Sequence, residues 1–287
     1  MLVCDDLVPG LPGRAPVYGI TSIDRELYVL RMASSKIEVY STETFDLQRH
    51  LPVKGIVDAI DMTSCPRNRC LYIADSKNGI VHRIQVDAAA PTSMGGHTAG
   101  FHVYDKPYGV SVTPVKCDVL VTCKEVNKLK QFTTNGQLVR EIVLETCVAH
   151  PRHAVQLVTG QLVVCHGERS DTNHRTCLMT ADGKRVIASF AGDEGKPLSW
   201  PTHVSVDSCH GYVYVADYNN KRVLILNSDM VQIGQVDGSR RNMSSPLRLC
   251  FNSDISCMYV AQCGGSVAVY SIHHPFHTLD LDQYRTM

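Results

Sequence analysis

A rhythm of about 46 residues runs through this chain and limits what it can fold into. The segment from Trp200 to Val236, WPTHVSVDSCHGYVYVADYNNKRVLILNSDMVQIGQV, shows the unit most plainly. It divides into four short apolar or alternating runs, THVSVD, YVYVAD, KRVLILN and MVQIGQV, separated by turn-forming clusters at 208–211, 218–220 and 227–229. Copies of the second run start at Leu27, Leu71, Val119, Leu162, Val213 and Met258, and copies of the third at Ile37, Val81, Leu129, Thr176, Val223 and Val267. Successive starts lie 43–51 residues apart in one series and 44–48 in the other, so two independent markers keep one beat. First runs open on Pro16, Pro107, Pro151, Pro201 and Pro246, with Asp58 at the corresponding place in the second unit. Proline belongs at the first residue of a strand, where no ladder donor is needed.

A lone four-stranded sheet cannot bury both faces. Six of them packed radially cover one another and leave only short edges. The pattern therefore predicts an all-β chain, a six-bladed β-propeller with four antiparallel strands per blade. It reads as one domain over 1–287, with blades at about 14–55, 56–105, 106–149, 150–199, 200–244 and 245–287. No apolar repeat of helical period competes with it. Segments 88–100 and 165–174 read as enlarged loops. Ring closure has two solutions: FHTLDL at 276–281 as the last blade's own fourth strand, or residues 1–13, through Leu2–Leu7, as a closing strand.

The string PTHVSVD…GYVYVADYNNKRVLIL resembles an NHL repeat, over roughly residues 14–272 and most closely in the fifth unit. The resemblance implies a six-bladed propeller similar to the C-terminal NHL domain of tripartite-motif (TRIM-NHL) proteins. Relatives of that kind serve as parts of ubiquitin ligases, as RNA-binding repressors, as receptor-kinase modules and as a zinc-dependent lyase, so the function it implies is broad. RING, B-box and coiled-coil patterns are absent from these residues, and ligase chemistry is not assigned to them.

In a propeller the loops entering first strands and those joining second to third strands share one face. That places Tyr18, Tyr108, Arg152, His153, His203 and Arg248 around the channel mouth. Lys77, Lys124, Lys128, Arg169, Arg175, Lys221 and Arg222 surround them, diluted by Glu125, Glu168, Asp171 and Asp217. From this set the candidate binding face is Tyr18, Tyr108, Lys124, Arg152, His153, Arg169, Arg175, His203, Tyr218, Arg222 and Arg248. The tyrosines offer flat anchors for a protein or stacking surfaces for unpaired bases. His153 and His203 hold matching places in neighbouring blades, where a shared metal is conceivable. The lyase's zinc histidines, however, directly follow such prolines, and here those places hold Val17, Tyr108, Arg152, Thr202 and Leu247. No metal and no cofactor is assigned. Cys147/His150/His153 and His273/His274/His277 are read as loop and tail, and Asp75 and Asp217 as turn-forming residues of the repeat.

No nucleophile elbow, phosphate-binding loop or zinc-protease motif occurs, and the expected role is non-enzymatic. A protein partner is expected first, linked by resemblance to the ubiquitin pathway. RNA on the cationic face is the alternative, and a metal-dependent lyase or hydrolase comes third. The formal net charge of zero argues against a global pull toward nucleic acid or membrane. The N-terminus lacks a basic start, the 12 cysteines form no C-x-x-C pair, and no run suits a membrane helix. A cytoplasmic setting with reduced cysteines is the corresponding expectation.

Overall fold

The computed structural model describes residues 3–6, 15–86, 99–170, 172–237 and 243–273. It is a β-propeller of six four-stranded antiparallel sheets arranged in a ring. The expectations placed on Asp171, His274, His277 and the run 276–281 lie outside the described residues.

Each blade runs from the axis outward, and burial follows that order. Second strands are buried along their whole length in blade two (Cys70–Asp75) and blade four (Leu162–His166), because a neighbouring blade covers each face. Outermost strands such as Leu47–Pro52 and Leu138–Val143 alternate toward solvent. This explains why the second and third runs were the legible markers: both must be apolar on both sides.

The core is partitioned into clusters, one for each pair of adjacent blades. The cluster joining the last blade to the first packs Val17, Ile20, Leu27 and Val29 against Cys257, Tyr259, Ala261 and Val267. Tyr28, Tyr72, Tyr214 and Tyr259 take the same place in their second strands, opposite Thr21, Thr63, Ser205 and Cys250, and all are fully buried. Hydroxyls along the first strands tie blades together: Thr21 Oγ1 donates to Ser64 Oγ at 2.7 Å, and Ser111 Oγ donates to the Ala154 carbonyl at 2.8 Å.

Ring closure is resolved by the N-terminal segment. Val3–Asp6 pairs antiparallel with Val267–His273, from Val3 opposite His273 to Asp6 opposite Tyr270. It completes the sixth sheet, so the two ends of the described chain hold one blade together. Cys65, Cys70 and Cys117 are buried free thiols between blades two and three.

The recurring aspartates have the structural role read from the repeat. Asp75 accepts the Val57 and Asp58 amides at 2.9 and 3.1 Å, the Asn78 side chain at 2.9 Å and His82 Nε2 at 3.2 Å. Burial opposes its charge, yet these bonds hold its carboxyl below the usual range. Asp217 likewise accepts the Ser199 amide at 2.8 Å and Asn220 Nδ2 at 2.8 Å. In both blades the aspartate fastens the loop that leads into the first strand.

Candidate functional site

The pairing shows where candidate residues go. In blades one, two, four, five and six the first strand slips register beside its second residue, a β-bulge. A bulge re-aims side chains, so consecutive residues serve different ends. Tyr18, Ile60, Arg152, Thr202 and Leu247 are the bulged residues, and Tyr108 takes that place in blade three. Gly19, Asp61, Gly109, His153, His203 and Arg248 follow them, opposite Leu30, Ala74, Thr122, Cys165, Ala216 and Ala261.

The second series converges on a buried cluster joining blades two, four, five and six. Asp61 accepts Arg248 Nε at 2.9 Å on Oδ1 and the Val110 amide at 2.8 Å on Oδ2. Arg248 also donates to the carbonyls of Ile60 and Leu247. The rings of His153 and His203 stack at 3.7 Å, with their Nε2 atoms 3.5 and 3.7 Å from the Asp61 carboxylate. Gly109 is required here, because a Cβ at that position would stand 2.7 Å from the Arg152 carbonyl oxygen and 3.1 Å from His153 Cδ2. Asp61 is 1% exposed and Arg248 5%.

Asp61, His153 and His203 bring their ligand atoms within 4.8 Å of one another, the composition of a zinc or manganese centre. Two features favour a hydrogen-bonded plug instead. Arg248 already neutralises the carboxylate. The Leu249 amide donates to His203 Nδ1 at 3.4 Å, which places the ring's proton on Nε2, the atom a metal would need bare. Below the plug lies a cavity of about 320 Å³, lined by His153, His203, Ser111, Ser205 and residues of the turns between first and second strands, such as Asp24 and Asp254. It therefore opens on the face opposite the candidate binding residues.

Both imidazoles are held neutral. Burial pushes His153 below the ordinary value, with Asp61 opposing and Arg248 reinforcing the shift. Burial, His153 and Arg248 together push His203 well below it. The unfolded chain therefore binds more protons than the folded one once the pH drops through the unfolded value. Stability from this pair is complete above about pH 6.5 and falls below it, at up to about 1.4 kcal/mol per pH unit for each ring until its folded pKa is reached. Urea unfolding between about pH 7.5 and 5.5 reads this slope. His203→Gln is expected to remove about half of it, and an unchanged slope would contradict the assignment.

The bulge series builds a different arrangement on the upper face. The Arg152 guanidinium carbon lies 5.0 Å from the Tyr108 ring centroid and 4.8 Å from that of Trp200. Lys124 Nζ lies 5.1 Å from the Tyr108 centroid, and the Arg169 guanidinium carbon 5.2 Å from that of Trp200. Tyr218 meets Trp200 edge-on at 4.6 Å. Each contact of this kind contributes about 0.5–2 kcal/mol, depending on desolvation. Trp200 sits at φ +58°, where a bulky residue is strained by roughly 1–2 kcal/mol. Glu168 supplies the counter-charge, 2.5 Å from Lys124 Nζ and 3.9 Å from Arg152 Nη1. Burial opposes its ionisation, but Lys124 and Arg152 hold its carboxyl below the usual range.

Of the candidate residues, Tyr108, Lys124, Arg152, Arg169 and Tyr218 come together in this stack, while His153, His203 and Arg248 belong to the plug. Arg222 is corrected: it is 1% exposed and bonded to Asp217 Oδ2 at 2.7 Å, the Lys196 carbonyl at 3.0 Å and Gln235 Oε1 at 3.3 Å, so it is structural. Arg175 points along its own blade to Asn173 and Ser189. Tyr18 is half-buried at the bulge of blade one and joins neither group. Sequence reasoning missed Asp61 and Trp200. Asp61, like His203 and Arg248, stands 13 residues before its second-strand partner, a spacing the sequence carries.

Neither a family model nor a curated protein matches the chain. Solved structures do. Hydrazine synthase of Kuenenia stuttgartiensis aligns with TM-score 0.65 and 15% identity over 90% of this chain and 96% of that one. A streptogramin B lyase aligns with TM-score 0.64 and 10% identity over 95% and 98%. At such identities the likeness is one of fold.

Proposed function

We propose that the chain is a non-enzymatic binding module that holds a protein partner on the face carrying the Lys124–Tyr108–Arg152–Trp200–Arg169 stack. The observation that carries this reading is the gathering of three cations, Lys124, Arg152 and Arg169, on one pair of aromatic rings, with Glu168 the acid paired to them among the described residues, on a chain whose formal net charge is zero. Arginine, tryptophan and tyrosine are also the residues in which binding energy concentrates at protein interfaces. The resemblance to tripartite-motif NHL domains makes a component of the ubiquitin pathway the first partner class to test.

RNA is the lesser reading. Tyr108 and Trp200 already engage two cations each, so their faces are poor platforms for unpaired bases. The lyase reading would require His203 to surrender the proton that its bond with Leu249 fixes on Nε2. Capture of partners on the immobilised propeller, with and without ribonuclease, separates the first two. The expected result is a protein partner that survives ribonuclease and loses less than about tenfold in affinity between 50 and 200 mM salt. Loss after ribonuclease, or a fall of about 10³-fold or more over that range, would favour nucleic acid.

A further inference from the structure

Arg152 is 5% exposed, yet its Nε and Nη1 atoms are buried without a hydrogen-bond partner, and Trp200 Nε1 is in the same state. Only Nη2 of the guanidinium is bonded, to the Tyr108 hydroxyl. Buried donors are almost always paired, because leaving one unpaired forfeits its hydration without return. Three such donors around one ring pair mark a place where an acceptor arrives from outside.

The acceptor nearest to hand is Glu168. Its carboxylate sits beside Arg152 at 3.9 Å, too far for a hydrogen bond, while Lys124 holds it at 2.5 Å. The backbone under it is fixed. His174 Nε2 donates to the Glu168 carbonyl at 2.6 Å, and Gly167 turns the chain at φ +115°, where a Cβ would stand 2.4 Å from His174 Cδ2. The side chain itself is 33% exposed, and the His174 bond is made to the backbone carbonyl and not to the carboxylate. A fixed backbone with an acid placed short of a recessed guanidinium is the geometry of an internal stand-in.

Resting on the binding-module reading, we infer that the stack is a receptor for an oxyanion on an acidic segment of the protein partner, which displaces Glu168 and pairs with Arg152. The oxyanion is a carboxylate or the phosphate of a modified side chain, since both present the coplanar or clustered oxygens that a guanidinium binds in pairs. A guanidinium this deep is reached by the tip of one extended side chain. Lys124 and Arg169, on either side, supply the attraction that guides an acidic segment in.

Trp200 is the only tryptophan in the chain, so its emission reports this site alone. The purified protein is titrated with a glutamate decapeptide, with the same peptide carrying one phosphoserine, and with a uridylate decamer. The expected result is a saturable change in emission with the peptides, tightened about fivefold by Glu168→Gln and weakened about tenfold by Arg169→Gln, as for loss of a competing acid and of a charge-assisted contact. Whichever peptide binds more tightly identifies the source of the oxyanion. Affinity unchanged or weakened in Glu168→Gln overturns the inference, as does equal or tighter binding of the uridylate. If the unaltered protein captures a protein partner while neither peptide binds, this inference falls and the binding-module reading stands; if the unaltered protein captures no protein partner either, both fall.

Discussion

Asp61→Asn is expected to lower the free energy of unfolding by about 3–5 kcal/mol, because it leaves the Arg248 guanidinium in the plug without its counter-charge. The geometry behind the figure is the 2.9 Å bond between groups 1% and 5% exposed, which spans blades two and six. Burying a charge is tolerated here only because the pair is matched and the remaining arginine donors reach the Ile60 and Leu247 carbonyls. Removing both partners should therefore hurt less than the single changes imply. In Asp61→Asn/Arg248→Met no charge remains to be desolvated, and the double variant is expected to recover roughly 1–3 kcal/mol relative to additivity. Urea unfolding of the single and double variants completes the cycle. Additive losses would mean that the two residues do not act as a pair.

Arg222→Ala is expected to have an effect of similar size, about 3–5 kcal/mol, for a related reason at a different place. Asp217 is fully buried at the end of its strand, and Arg222, facing it in the register, supplies a 2.7 Å bond and the opposing charge. The same guanidinium ties down the Lys196 carbonyl, so the loop ahead of blade five loses an anchor as well. Because that loop leads directly to Trp200, a second readout follows. The tryptophan emission should shift in Arg222→Ala even at temperatures where the protein remains folded. Melting lowered by roughly 10 °C with a changed native emission is the expected pair of results. A stability within about 0.5 kcal/mol of the parent would place Arg222 among ordinary surface residues, contrary to its position.

The sequence made the architecture readable because a propeller writes the same constraint six times. Second and third strands lie between neighbouring blades, and runs such as LYIAD at 71–75 and VLIL at 223–226 had to be apolar on both sides. Residues 2–7 were legible as one of two closing strands, but the choice between the two was not. Val3–Asp6 is the short run VCDD, its pairing is made by backbone groups, and pairing of that kind leaves little trace in side-chain type. Strand order placed Tyr108, Lys124, Arg152 and Arg169 near one another, and they meet in the stack. It failed at Arg222, where proximity in sequence to an exposed loop concealed a side chain turned inward to Asp217. Asp61 was missed because blade two lacks the proline that marks the start of its neighbours' first strands. Trp200, beside Pro201, was passed over because a residue ahead of a strand carries no periodicity; its backbone at φ +58° and its contacts with Arg152, Arg169 and Tyr218 reveal that it is held in place.

The proposed function requires binding on the face of the stack, above a plugged axis, and not in the cavity that opens on the opposite side. Partner capture by two variants tests this most directly: Lys124→Gln/Arg169→Gln on the stack, and Asp24→Asn/Asp254→Asn at the mouth of the cavity. Capture is expected to fall about tenfold or more in the first and to be unchanged in the second. Capture retained in the stack variant and lost in the cavity-mouth variant would contradict the proposed function.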